Sequence, residues 1–179
     1  MRALIISADL FEDSELEIPY QYLRELAIDV DIASFKKGKI IGKHGFSADV
    51  TITLDEVDPK QYDILLLPGG KAPAMIRKEP KALEISRYFF EENKLVAAIC
   101  HGPQILISAA LLKGRVATGY KSIAKELGDA GATYKDEEVV IDDNLITSRQ
   151  PDDLNAFMEA IKQYLHKVHP KKSVIKRNN

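Results

Sequence analysis

The chain has 179 residues, enough for one domain with a sizeable core. Hydrophobic residues make up 45% and charged residues 29%, and the formal net charge is −2, so no large field draws the whole protein toward nucleic acid or a membrane surface. A single cysteine excludes an internal disulfide and a multi-cysteine zinc site. No apolar run reaches the roughly 18–20 residues of a membrane helix.

In chain order, Leu4-Ile5-Ile6 reads as a buried parallel strand. The segment before it is too short for the apolar region of a signal peptide, which with a lone thiol implies a cytoplasmic protein. Ser14 to Ala27 has helical periodicity, with Leu16, Leu23 and Leu26 toward the core. Asp29 to Phe35 alternates Val30, Ile32 and Ala33 as a strand does. Lys39 to Thr53, broken by Gly42 and Gly45, reads as a hairpin on one edge, with His44 at its turn or at an interface. Tyr62 to Leu67 is a central strand ending in Pro68-Gly69-Gly70, followed by a turn over Ala72 to Lys78 and a helix over Glu79 to Glu92. Leu95 to Ile99 is a buried strand, and Pro103 to Leu112 a helix with proline in its first turn. Tyr120 to Gly128 and Asn155 to His166 read as helices, while Val139-Val140-Ile141 and Leu145-Ile146-Thr147 form a hairpin. Strands alternating with helices make an α/β sandwich with a mainly parallel sheet, one domain over 1–168. The basic stretch 169–179 reads as a solvated tail.

The chemistry centres on Cys100. It lies in Ala98-Ile99-Cys100-His101-Gly102, between a strand and a helix, as a nucleophile elbow would. There the backbone N–H groups at the helix start face what the thiol attacks, and the helix N-terminus and the adjacent His101 favour thiolate. In open parallel sheets ligands collect at the carboxyl ends of strands. Three such ends carry unusual residues: Asp9, Glu12 and Asp13; Gly69-Gly70-Lys71; and Cys100-His101. A glycine pair after a buried strand exposes N–H groups, as an oxyanion hole requires. His166 and His169 read as solvent-facing, and no carboxylate-rich or His-x-x-His pattern points to a metal. There is no Gly-x-Ser-x-Gly, no Gly-x-x-x-x-Gly-Lys phosphate loop and no Gly-x-Gly-x-x-Gly after the first strand.

Together Phe11-Glu12-Asp13-Ser14-Glu15-Leu16, Ile32-Ala33-Ser34-Phe35, Gly42-Lys43-His44-Gly45, Leu66-Leu67-Pro68-Gly69-Gly70, Ile99-Cys100-His101-Gly102-Pro103-Gln104 and Thr147-Ser148-Arg149-Gln150-Pro151 resemble the ThiJ/PfpI superfamily, in its branch of archaeal intracellular proteases and deglycases. The likeness runs from Arg2 to about Tyr164. It implies a three-layer sandwich, flavodoxin-like and akin to class I glutamine amidotransferases. It assigns Cys100 as nucleophile, Glu12 as the carboxyl beside the thiol, and His101 as partner base. It assigns the Gly70 and His101 amides to the oxyanion hole, and Gly69 and Tyr120 to the pocket. It implies a homo-oligomer, from dimer to hexamer, with sites near subunit contacts, and no cofactor, metal, membrane or nucleic acid. The reaction it implies is hydrolysis of reactive-carbonyl or glycated substrates, as a deglycase or a glyoxalase does. A Cys100-His101 peptidase and a redox-sensing or chaperone-like stress protein are the alternatives. The peptidase reading lacks its third member, because Ala74 occupies the place of the acid. A glutaminase reading fails on its downstream His-x-Glu pattern, since neither His166 nor His169 has a carboxylate two residues on.

Overall fold

The computed structural model describes residues 1–170. Its elements in chain order are β1 (Arg2–Ile6), α1 (Asp13–Glu25), β2 (Asp29–Ser34), β3 (Gly38–Ile41), β4 (Ser47–Val50), β5 (Ile52–Thr53), β6 (Ile64–Leu67), α2 (Ala72–Ile76), α3 (Pro80–Glu91), β7 (Leu95–Ile99), α4 (Pro103–Ser108), β8 (Val116–Ala117), α5 (Ala124–Asp129), β9 (Thr133–Tyr134), β10 (Val139–Asp142), β11 (Leu145–Ser148) and α6 (Leu154–Val168).

Seven strands form the main sheet in the order β10-β11-β7-β6-β1-β2-β5. All neighbours are parallel except the β10–β11 hairpin at one edge. The three central strands are apolar on both faces, Ala3–Ile6, Ile64–Leu67 and Leu95–Ile99 all being buried. Such runs suit only a sheet covered by helices on each side. Helices α1 and α6 pack against each other, while α3 and α4 pack together and α3 lies against β6 and β7. The α/β sandwich with a mainly parallel sheet expected from the sequence is the observed architecture.

The chain leaves β1 toward β2 and later returns on the other side of β1 through β6 and β7. The sheet therefore reverses direction between β1 and β6, and ligands in open α/β sheets gather at such a switch point. The ends of β1, β6 and β7 adjoin there, with Ile5 in register with Leu66 and Leu67 with Ala98. The three strand ends singled out in the sequence thus meet in space.

Local differences have local causes. The expected turn over 72–78 begins as a short helix, α2 (Ala72–Ile76), with Pro73 in its first turn, where its missing N–H costs nothing. Helix α4 stops at Ser108 because Ala110 takes φ 59°, a left-handed C-terminal turn, and the chain peels off before Leu112. The hairpin between β2 and β5 is real, but β3 and β4 pair only with each other and leave the main sheet. Strands β8 and β9 are two residues each and pair in parallel, too short to leave a period-2 pattern. His166 and His169 are exposed, as expected. Most of the basic tail, 171–179, lies outside the described residues.

Candidate active site

Cys100 follows β7 with φ 62°, in the left-handed region that side-chain-bearing residues rarely adopt. Its neighbours hold it there. Its N–H donates to the Ser148 carbonyl at 3.0 Å, its carbonyl accepts from the Tyr120 N–H at 2.9 Å, and the Gly102 N–H closes the turn onto the Ile99 carbonyl at 2.8 Å. A Cβ at Gly102 would stand 2.1 Å from the Leu67 carbonyl oxygen, so only glycine lets the turn pack on β6. Together these contacts make the elbow and aim the thiol at the end of the sheet. Cys100 is 8% exposed, so a slim group can reach it and a folded surface cannot.

The Gly69-Gly70 turn forms the opposite wall. Gly70 has φ 79°, and a Cβ there would fall 2.3 Å from the Glu12 nitrogen. The close approach is stitched by backbone bonds from the Glu12 N–H to the Gly69 carbonyl at 3.2 Å and from the Lys71 N–H to the Leu10 carbonyl at 2.8 Å. The Gly70 and His101 amides both point at the Cys100 sulfur and favour negative charge on it. A Cβ at Gly69 would meet the Cys100 Cβ and Glu15 Oε1, each at 2.8 Å. Gly69 thus lets thiol and carboxyl share one small space.

That carboxyl corrects an expectation. The resemblance places Glu12 beside the thiol; the structure places Glu15 there. Helix α1 begins at Asp13, with Glu12 as its N-cap, so Glu15 turns inward on the face carrying Leu16, Pro19 and Leu23. Glu15 is fully buried, and neither oxygen has a partner in hydrogen-bond geometry. Its closest polar company is the Cys100 thiol and the Gly69 N–H. Burial and the nearby Glu12 charge push its pKa up to about 8, so it carries its proton at neutral pH. Glu12 stays at the rim, where Oε2 accepts from Lys43 Nζ at 3.0 Å and Oε1 lies 3.4 Å from His44 Nε2. The bond to Glu12 raises the Lys43 pKa.

The β3–β4 loop is moored by Asp13, whose carboxylate accepts from the His44 and Phe46 N–H groups at 3.1 and 2.9 Å. Burial opposes the Asp13 charge, but these two donors hold its pKa below the ordinary carboxylate range. His44 is therefore a loop residue anchored through its backbone, with its ring reaching Glu12.

The Cys100 thiol does not have the depressed pKa that a helix start and an adjacent histidine suggest. Burial, then the charge of Glu15, push it up to about 12, against the pull of the Gly70 and His101 amides. Thiol and carboxyl titrate as a pair. While Glu15 keeps its proton, its repulsion is absent and thiolate forms more readily. His101 Nδ1 lies 3.3 Å from the sulfur. Burial and the Lys43 charge lower the His101 pKa, opposed by Glu126, so the ring is neutral at pH 7. The Tyr120 ring lies tilted over the imidazole, with centroids 5.2 Å apart. The site therefore holds a thiol, two converging amides, a neutral imidazole and a protonated carboxyl: a nucleophile, an anion cradle and a proton source.

Sequence reasoning brought Cys100, His101, Gly69, Gly70 and Tyr120 to one place, and it put Glu12 beside the thiol, where the structure has Glu15 instead and leaves Glu12 at the rim. It passed over Glu15 and Lys43. The signal for Glu15 was a charged residue on the inward face of an amphipathic helix. The described residues contain no group of three or more His, Cys, Asp or Glu side chains placed to hold a metal, and no helix long and apolar enough to cross a membrane.

Residues 1–163 match the model of the DJ-1/PfpI family. The chain is 53% identical over 158 residues to the deglycase PfpI of Pyrococcus furiosus, covering 88% of this chain and 95% of that protein. It is 45% identical over 157 residues to protein/nucleic acid deglycase 2 of Escherichia coli, covering 86% and 91%. Among solved structures it superposes with TM-score 0.90 and 39% identity on a two-domain protein of Anabaena variabilis with DJ-1/ThiJ/PfpI-like and ferritin-like domains, covering 92% of this chain and 50% of that one.

Proposed function

Because the chain belongs to the DJ-1/PfpI family, we propose that it is a cofactor-independent cysteine hydrolase of the PfpI deglycase type, with Cys100 as nucleophile and early glycation adducts or small reactive carbonyls as substrates. The observation that carries this reading is the burial of Glu15 against the Cys100 thiol, which pushes its pKa up to about 8. Addition of a thiol to a carbonyl needs a proton delivered to oxygen, and rearrangement toward a hydroxy acid needs one moved between carbons. A carboxyl with pKa about 8 both gives and takes protons near neutral pH.

In this scheme the Cys100 sulfur forms a bond to the carbonyl carbon, and the C–O π electrons become an alkoxide facing the Gly70 and His101 amides. In a glycation adduct the C–N bond has by then broken, its hydroxyl proton passing to the amine and freeing that carbonyl. The alkoxide takes the thiol's proton to give a hemithioacetal. Glu15 carries a proton from the sulfur-bearing carbon to the neighbouring carbonyl carbon to give a 2-hydroxyacyl thioester, and water breaks the C–S bond and returns the thiol. The net reaction turns adduct plus water into free amine plus hydroxy acid, with no oxidant or reductant consumed. Lys43 at the rim adds positive charge for an anionic part of the substrate. The peptidase alternative gains nothing from Ala74, which is exposed on α2 and brings no carboxylate. The carbonyl chemistry needs no acid at that position.

The test is release of lactate and free amine from methylglyoxal-treated N-acetyl-lysine or N-acetyl-arginine by the native chain and by Cys100→Ala. Native turnover that disappears in the variant supports the assignment. Equal release by both proteins refutes it.

A further inference from the structure

His101 has a second contact that the scheme above does not use. While Nδ1 faces the Cys100 sulfur at 3.3 Å, Nε2 lies 3.2 Å from the Ser122 hydroxyl. Ser122 sits in the 3-10 turn Lys121–Ile123, and the start of that turn is tied to the elbow itself. The Tyr120 N–H donates to the Cys100 carbonyl at 2.9 Å, and the Ile123 N–H donates to the Tyr120 carbonyl at 2.9 Å. Gly119 permits the approach, since a Cβ there would meet the Cys100 carbonyl oxygen at 3.1 Å and Ile123 Cδ1 at 2.9 Å. Backbone that runs through the nucleophile therefore sets the position of the serine hydroxyl.

We propose that Ser122 is the positioning residue for His101: its hydroxyl donates to Nε2, so the ring proton sits on Nδ1 and points at the Cys100 sulfur. The inference rests on Cys100 being the nucleophile, as proposed above. Two arguments favour this direction. The other polar groups aimed at the sulfur from Gly70 and His101 are N–H donors, an arrangement built for a sulfur that accepts. And a neutral imidazole carries one proton, so whichever nitrogen accepts a hydrogen bond leaves the proton on the other. The charged groups around the ring do not take over this role. Lys43 on the β3–β4 side lowers its pKa. Glu126, one helical turn after Ser122, raises it, but both Glu126 oxygens are engaged, by Arg77 and by Gln104 Nε2 at 2.9 Å. Glu15 and Glu12 on the α1 side act on the thiol. Ser122 is the hydroxyl in contact with the free nitrogen.

The experiment uses the full chain labelled with ¹⁵N in its imidazoles, His101 being assigned by loss of its signals in His101→Asn. In the native protein at pH 7.5 the expected pattern is a protonated Nδ1 and an unprotonated Nε2. Ser122→Ala moves the population toward the Nε2–H tautomer. It also lowers the rate of Cys100 alkylation by iodoacetamide at that pH by about three- to tenfold, the range expected for one partly exposed hydrogen bond. Ser122→Thr, which keeps the hydroxyl, restores both, whereas a purely structural role would leave the tautomer unmoved. A native Nε2–H tautomer, or an alanine variant with native tautomer and alkylation rate, overturns the proposal. Both readouts are independent of substrate, so a failed lactate assay with a positive Ser122 result would reject the deglycase reading and leave this one standing.

Discussion

Glu15→Gln separates what the buried carboxyl does for chemistry from what it costs the fold. In an unfolded chain Glu15 has its ordinary pKa near 4.5, and in the folded protein burial raises it to about 8. Between these values the folded state holds a proton the unfolded state has released, so stability falls as pH rises. The carboxyl does no harm below about 4.5, and its full cost is reached above about 8. From 4.5 to neutral pH is roughly 2.5 pH units at about 1.4 kcal/mol each. At pH 7 the native protein is therefore less stable than its glutamine variant by about 3 kcal/mol, and near pH 5 by less than about 1 kcal/mol. Because Glu15 is fully buried, solvent does not screen this effect. The assay is urea denaturation of both proteins at steps from pH 5 to 8.5. The difference in unfolding free energy between them isolates Glu15 from the other titrating groups. Turnover in the variant falls by about a hundredfold or more, the usual scale of a lost acid–base group. A stability difference that stays flat across this range would refute the burial argument, whatever happened to activity.

Glu12→Gln frees Lys43 but leaves Glu15 in place, so it lowers turnover by less than about tenfold, the scale of a partly exposed ion pair rather than of a proton donor. Steady-state kinetics of the two glutamine variants side by side check the assignment, which fails if Glu12→Gln is the more damaging. Gly69→Ala pushes a methyl to 2.8 Å from the Cys100 Cβ and Glu15 Oε1. Thermal melting should show a loss of about 1–3 kcal/mol, the usual cost of overpacking, and activity should vanish with it. The pH–rate profile of the native chain should fall above about pH 8, where Glu15 loses its proton. A kcat that stays level to about pH 9.5 would remove Glu15 as the proton source.

The amino-acid sequence by itself determined the layered α/β architecture, because fully apolar runs such as Ile64–Leu67 and Leu95–Ile99 have no place except a sheet covered on both faces. It also located the elbow, since a lone cysteine between such a strand and a proline-led helix leaves few geometries open to the backbone. It marked the glycine pair after β6, where backbone must approach backbone. Its reach ended where function depends on which side chain faces which across the sheet. Whether Glu12 or Glu15 meets the thiol turns on α1 starting at Asp13, a boundary of one residue that rotates each later side chain by about 100° around the helix. The raised thiol pKa was equally out of reach. A helix start and a neighbouring histidine argue locally for thiolate, and only the packed structure shows burial and a second carboxyl outweighing them. Ser122 lies 21 residues beyond His101 and meets its ring because Tyr120 is bonded to the carbonyl of Cys100. Contacts made across such distances are set by how the layers pack, and so belong to the tertiary structure alone.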